Sequence, residues 1–337
     1  MSSLPLAERP VLAVDLGGTK LAVAVVSPRG ELIAELHEPT SQNGPQAGMD
    51  QIVRMARTLI DAPEIVSLNV EAVGVGIPAV LERDSDFVIW GPNLRGWRDV
   101  ALRPSLEAAL DLPVFVEYDG HTAVLAEYWL GAGKGFHSVV DVIIGTGIGG
   151  GMILEDHLVR GFNRLAGAAG WFVLAGDRDL RDDRAHSIGF WEAAAAGPGL
   201  ALQAQSDLPL HPDSLLARVT HPLTAVDIFA AAKQNDLFAT QVLKRLADWL
   251  GLGIANIVSL VNPEVVILGG GMGSKCEDLI PSIHEIVQRW AQPISARAVQ
   301  LKISPLGGPA GLFGAAYAAW LRLRETTERK EEVNSKK

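Results

Sequence analysis

Val11-Leu12-Ala13-Val14-Asp15-Leu16-Gly17-Gly18-Thr19-Lys20-Leu21-Ala22-Val23-Ala24-Val25-Val26 reads as strand, glycine turn, strand: apolar, β-branched runs flank one short polar loop. The same design returns later. Val139-Val140-Asp141-Val142-Ile143-Ile144 leads into Gly145-Thr146-Gly147-Ile148-Gly149-Gly150-Gly151, and Met152-Ile153-Leu154 leads out. Each loop is therefore predicted as a hairpin tip, where glycine lets backbone N–H groups approach phosphate oxygens and a threonine hydroxyl adds an uncharged donor. Glycine-rich tips also occur in proteins that bind no phosphate, but two of one design favour phosphate. Gly145-x-Gly147-x-x-Gly150 also fits the dinucleotide fingerprint by letter. That fingerprint needs a helix directly after the loop, and here a strand follows.

The 337 residues suffice for two domains, and 48% hydrophobic with 20% charged content supplies a sizeable core. A net charge of −10 argues against a nucleic-acid partner, and the longest apolar stretch, Trp249 to Leu260, is too short to span a membrane. One cysteine, Cys276, excludes an internal disulfide framework and fits a reducing cytoplasm, and Met1 to Pro10 lack a secretory pattern. Strands alternate with helices along the chain, which predicts an α/β fold. Expected helices cover Gly48 to Ala62, His121 to about Leu130, Ala239 to Leu260 and Ala310 to Arg324, with strands at Val73 to Pro78, Pro113 to Val116 and Glu264 to Leu268. Gly176 to Ser187 reads as a loop, and the mixed-charge end from Glu325 as frayed. Asp119 falls at the end of a strand, where α/β sheets place ligands, and Gly269-Gly270-Gly271 is a third point of close backbone approach.

These residues resemble the ROK group of sugar kinases and sugar-responsive repressors, within the actin-like ATPase-domain superfamily. Asp15-Leu16-Gly17-Gly18-Thr19-Lys20 looks like its first phosphate loop, Asn93-Leu94-Arg95-Gly96-Trp97 its NL-x-GW segment, and Gly145 to Gly151 its second phosphate loop. Asn262-Pro263-Glu264 with Leu268 to Gly271 resembles its adenosine-side motif, and Ala310 to Ala316 its C-terminal helix. The resemblance implies two actin-like (ribonuclease H-like) domains with a cleft between them. The smaller would span 1–120, completed by the C-terminal helix at about 311–325, and the larger 121–310, leaving 326–337 as a disordered tail. ATP and Mg²⁺ are the implied cofactors, a sugar the implied substrate, and a homodimer the implied assembly. The family's regulators carry a DNA-binding module before the first loop, and only about ten residues precede the first strand here.

Asp119 is then the expected general base, and its alternative is a cap for the following helix. Asp15 is expected to act near Mg²⁺ through water, or simply to start a turn. Gly17, Gly18, Thr19, Lys20, Gly145, Thr146, Gly147, Gly149, Gly269, Gly270 and Gly271 are the expected nucleotide contacts, and Asn93, Tyr118, Trp171 and Glu192 the sugar-side ones. The departures fall on the sugar side. Tyr118 stands where the family has asparagine, and the family's A-G-E-x-G-H is Ala166-Gly167-Ala168-Ala169-Gly170-Trp171, without its glutamate and histidine. The cysteines of the family's zinc segment are missing, Asp177 to Ser187 standing in their place, so no structural zinc is expected. Glu192 reads equally as a sugar ligand or a helix-start carboxylate, and Trp171 and Tyr118 as a sugar platform or as filler. Ordinary glucose recognition is therefore doubtful. A narrowed sugar kinase and a catalytically degenerate sugar or nucleotide sensor both remain open.

Overall fold

The computed structural model describes residues 9–83, 85–174 and 185–335. The chain divides into two units. The first comprises 1–130, 158–166 and 308–337, the second 131–157 and 167–307.

In the first unit, strands β1 (Val11–Leu16), β2 (Lys20–Val26), β3 (Leu32–Pro39), β4 (Val73–Ile77) and β8 (Val114–Tyr118) form one sheet, ordered β3-β2-β1-β4-β8. A smaller sheet holds β5 (Val80–Leu81), β6 (Val88–Trp90) and β7 (Arg98–Val100). β1 and β2 pair antiparallel from Val11↔Val26 to Leu16↔Leu21, which is the hairpin read from the sequence, and β4 and β8 add in parallel. Alternation explains the unbroken apolar runs: Leu12, Val14 and Leu16 join one core with Ile52 and Met55, while Val11 and Ala13 join another with Ala315, Ala316 and Trp320. Both faces of the sheet are therefore buried.

The helix Asp119–Trp129 packs on the last helix, Ala310–Ser335. Contact is so close that a side chain at Gly314 would overlap the Thr122 carbonyl, and Trp129 meets Phe313, Tyr317 and Trp320. This packing places 121–130 in the first unit, not in the second as the sequence reading had it. The last helix also continues past Arg324 into the stretch expected to be a tail. Its polar turns are supported by an Arg324–Glu328 pair at 2.8 Å and by Thr326 and Thr327 hydroxyls donating to carbonyls one turn back.

The second unit repeats the core arrangement. β9 (Val139–Ile144) and β10 (Ile148–Leu154) form an antiparallel hairpin, and β12 (Val265–Gly269) runs parallel to β9, in a sheet ordered β11-β10-β9-β12-β13 with β11 (His157–Leu158) and β13 (Gln300–Ile303). Both units thus hold a hairpin whose first strand takes a later parallel neighbour. The long helix is Leu237–Val261, two residues earlier than its apolar pattern, because Asp236 caps it by accepting the Ala239 N–H at 2.8 Å. Glu264 then accepts the backbone N–H groups of His137 and Ser138 and fixes the start of β9. Of the segment read as loop, 176–184 lies outside the described residues, and 185–187 belongs to a short helix, Ala185–Ile188. Among the described residues no helix is long and apolar enough to cross a membrane.

Candidate active site

The β1–β2 turn closes with Gly17 N–H donating to the Lys20 carbonyl at 2.9 Å. Its own carbonyls are held from outside: Thr40 Oγ1 donates to Gly17 O at 2.7 Å and Gln42 Nε2 to Gly18 O at 2.9 Å. A Cβ at Gly18 would lie 2.6 Å from the Asn93 carbonyl oxygen, so only glycine lets the Asn93 segment come this near. Asn93 is exposed, on a turn held down by the buried side chains of Leu94 and Trp97. Thr19 and Lys20 are exposed at the tip.

Two carboxyls lie behind this loop. Asp15, next to last in β1, abuts the start of the final helix, where any side chain at Gly311 would overlap its carboxyl. Burial raises its pKa above the ordinary carboxylate value against the pull of Lys20 and His37. Asp119 follows β8 directly and opens the helix Asp119–Trp129. It keeps some open surface, but its carboxyl sits deep enough that burial, with a further push from Asp15, moves its pKa from 3.8 up to about 6. The helix cap is Tyr118, which makes no side-chain cap bond, and Asp119, the first residue of the helix, accepts the neighbouring Gly120 N–H on Oδ1 at 2.8 Å. The capping alternative for Asp119 therefore fails, since a cap side chain accepts from two or three residues on.

Beneath Asp119 lies a buried ionic cluster that the sequence did not announce. Glu117 Oε1 faces His121 Nδ1 at 3.0 Å and accepts from Arg164 Nη2 at 3.2 Å, while its Oε2 accepts from Arg160 Nε at 2.7 Å. Burial alone would raise the Glu117 pKa, yet His121, Arg160 and Arg164 together hold it well below the usual carboxylate range. Arg164 also donates to buried Asp86 and, at 2.6 Å, to the Val116 carbonyl. No helical spacing announced it, since Glu117 lies in β8 and Arg160 and Arg164 lie in a turn segment outside any helix.

In the second unit the loop Gly145–Gly147 is tied by Gly145 N–H to the Gly147 carbonyl at 2.9 Å, and Thr146 is exposed at its tip. Glu192, in the first turn of the helix Phe190–Ala195, accepts the Ile148 N–H at 2.8 Å, and a Cβ at Gly147 would lie 2.6 Å from its Oε2. Glu192 therefore braces the glycine loop. Replacing it with glutamine exchanges a charged acceptor for a neutral one. The expected result is a loss of about 1 kcal/mol in unfolding free energy, and a several-fold rise in any nucleotide KM that depends on this loop. Thermal unfolding with nucleotide titration checks both. Gly149 lies in β10 opposite Ile143, while Gly269 ends β12 and Gly270 (φ +79°) presses on the Ile144 carbonyl. A side chain at Gly145 or Gly271 would meet nothing within 4 Å, so their backbone faces open space. Trp171 is 57% exposed, which does not suit the filler alternative, while Tyr118 is half-buried and edge-on to His121.

Among the described residues no group of three or more His, Cys, Asp or Glu is arranged to hold a metal. A Mg²⁺ that arrives with nucleotide needs fewer protein ligands, since one or two carboxylates plus phosphates and water complete its shell. Asp15 and Asp119 are carboxyls whose pKa burial raises, with Asp15 adding to the rise at Asp119.

The repeated hairpin cores, each tipped with a glycine loop, belong to the class of two-domain, actin-like α/β proteins. The sequence model of the ROK family matches residues 11–321, and the chain belongs to the ROK family. It is 34% identical over 315 residues to a glucokinase of Streptomyces coelicolor, covering 91% of this chain and 96% of that protein. To a glucokinase of Halalkalibacterium halodurans it is 30% identical over 316 residues, covering 93% and 95%. A solved ROK glucokinase of Streptomyces griseus, in complex with glucose and AMPPNP, superposes with a TM-score of 0.75 at 30% identity, covering 92% and 99%.

Proposed function

We propose that the chain is an ATP-dependent carbohydrate kinase that transfers the γ-phosphate to a hydroxyl of a hexose or of a modified or amino hexose. The observation that carries this reading is Asp119, a carboxyl at a strand end whose pKa is pushed up to about 6. A base titrating there is ionised at neutral pH and still basic enough to accept a hydroxyl proton. The glucokinase relatives, one of them holding glucose and a nucleotide analogue, support the same chemistry.

In this account Asp119 accepts the proton of the attacking hydroxyl as its oxygen bonds to the γ-phosphorus and ADP leaves. The backbone of Gly17 to Lys20 and of Gly145 to Gly149 offers N–H donors to phosphate oxygens. Asp15 would hold Mg²⁺ through water, and that ion supplies charge neutralisation on the phosphates. Tyr118, Trp171, Asn93 and Glu192 are proposed for the sugar side. Ala168, in the place of a carboxylate, cannot bind a sugar hydroxyl, a difference of about 1–3 kcal/mol against any substrate that relies on that bond. Hence the preference for a modified or amino hexose.

The test is ADP release with Mg·ATP across hexoses, N-acetylated and amino sugars, ketoses and polyols. Turnover with one class is expected, with kcat/KM falling as pH drops below about 6, where Asp119 takes up a proton. Binding of ATP or sugar by calorimetry without turnover on any compound would replace this reading with the sensor, which the altered sugar segment favours.

A further inference from the structure

Three consecutive carbonyls of the first glycine loop, those of Gly17, Gly18 and Thr19, accept from one short segment. Thr40 Oγ1 donates to Gly17 O at 2.7 Å, Gln42 Nε2 to Gly18 O at 2.9 Å, and the Thr40 N–H to Thr19 O at 3.0 Å. In a trans peptide the C=O of one residue and the N–H of the next point to opposite sides. Holding Gly17 O and Gly18 O toward 40–42 therefore turns the Gly18 and Thr19 N–H groups away from that segment. Among the described residues those two N–H groups donate to no protein acceptor. Successive N–H groups left facing outward make an anion-binding concavity.

The segment is itself fixed. Thr40 is 6% exposed, and Gln42 Nε2 donates also to its carbonyl at 3.1 Å. Gln51, on the helix Pro45–Ile60, accepts the Ser41 N–H at 2.9 Å and donates to the Pro39 carbonyl at 2.9 Å, so its amide holds the chain on both sides of Thr40. Resting on the reading of this loop as a phosphate cradle, we propose that Thr40 and Gln42 are its positioning residues: they keep the Gly17 and Gly18 peptides turned so that the Gly18 and Thr19 N–H groups face phosphate oxygens of the nucleotide. Glycine backbone rotates most freely of all. An unclamped Gly17-Gly18 turn must be ordered when phosphate arrives, whereas the clamped one is ordered on folding, which favours affinity.

Two substitutions at 40 separate this role from packing. Valine keeps the shape of threonine and loses the hydroxyl donor, while serine keeps the donor and loses a methyl from a buried position. The experiment is calorimetric titration of Mg·ATP into wild type, Thr40→Val, Thr40→Ser and Gln42→Met, with a thermal melt of each. Thr40→Val is expected to bind about 5-fold more weakly, Gln42→Met about 3-fold more weakly, and Thr40→Ser within about 2-fold of wild type. Affinity that follows melting temperature instead of the hydroxyl, or that is equal in all four proteins, overturns the proposal. Should Thr40→Val not fold, Gln42→Met decides, since that side chain is exposed, and undiminished affinity overturns the proposal. The titrations need no sugar, so the two readings fail separately. Wild type that binds Mg·ATP but phosphorylates no sugar ends the kinase reading and leaves the clamp to be judged on these affinities, whereas wild type that binds no Mg·ATP overturns the clamp.

Discussion

Asp119→Asn is expected to lose on the order of 10³-fold in kcat, to keep its nucleotide affinity, and to melt at a higher temperature than wild type at pH 7. The kinetic loss follows from removing the proton acceptor while leaving a side chain of nearly the same shape. The gain in stability follows from linkage. Folding raises the Asp119 pKa from 3.8 to about 6, so the folded state binds this proton more tightly than the unfolded chain does. The stability from that proton is complete below pH 3.8 and is lost as pH rises through about 6. That rise corresponds to a cost of about 3 kcal/mol at neutral pH, which asparagine does not incur. Thermal melts from pH 4 to pH 8 check the sign: the advantage of the variant should grow across this range and level off above pH 6. A variant with wild-type turnover would remove Asp119 from the mechanism. One that is inactive but no more stable would show that the carboxyl is not held at a cost.

Arg164→Met is expected to destabilise the first unit by about 3–5 kcal/mol at neutral pH. The Arg164 side chain is 4% exposed and serves two buried carboxylates, Asp86 and Glu117, together with the Val116 carbonyl. Methionine fills much of the volume and leaves those acceptors short of a donor. Arg103 at 3.5 Å and Arg322 at 3.7 Å still reach Asp86, which keeps the loss finite. The pH dependence has the opposite sign to that of Asp119. Glu117 is depressed, so its contribution is present above the unfolded carboxylate range and is lost as pH falls. The gap between variant and wild type should therefore hold down to about pH 4.5 and narrow only below it. Hydrogen exchange of the β8 amides, adjacent to the cluster, reads this locally without assuming that both units unfold together. Unchanged protection in β8 would mean that the cluster does not hold the turn beneath Asp119.

Both hairpins were legible in the sequence because they depend on local chemistry. Runs buried on both faces flank glycine turns, so β9 begins and ends at the residues its apolar pattern marks. The place of Asp119 at a strand end was legible for the same reason. Its surroundings were not. Arg164 meets Asp86 across 78 residues of chain, and nothing near Arg160-Gly161-Phe162-Asn163-Arg164 distinguishes a buried clamp from an exposed polar loop. Glu192 does stand in the first turn of its helix, as one of its two readings had it, but its hold on the Ile148 N–H was not legible, because that contact exists only once the helix packs beside the second hairpin. The last helix outran its apolar pattern because side-chain pairs, not burial, support its final turns. Elements set by periodicity and turn chemistry could be read in advance, whereas groups paired by tertiary packing could not.

The most direct test of the central claim is a ³¹P NMR spectrum of the wild-type protein incubated with Mg·ATP and a pooled set of hexoses, N-acetylhexosamines and amino hexoses. A new phosphomonoester resonance should grow in step with ADP and be absent with Asp119→Asn. ATP left intact, or converted only to ADP and inorganic phosphate, would contradict a kinase.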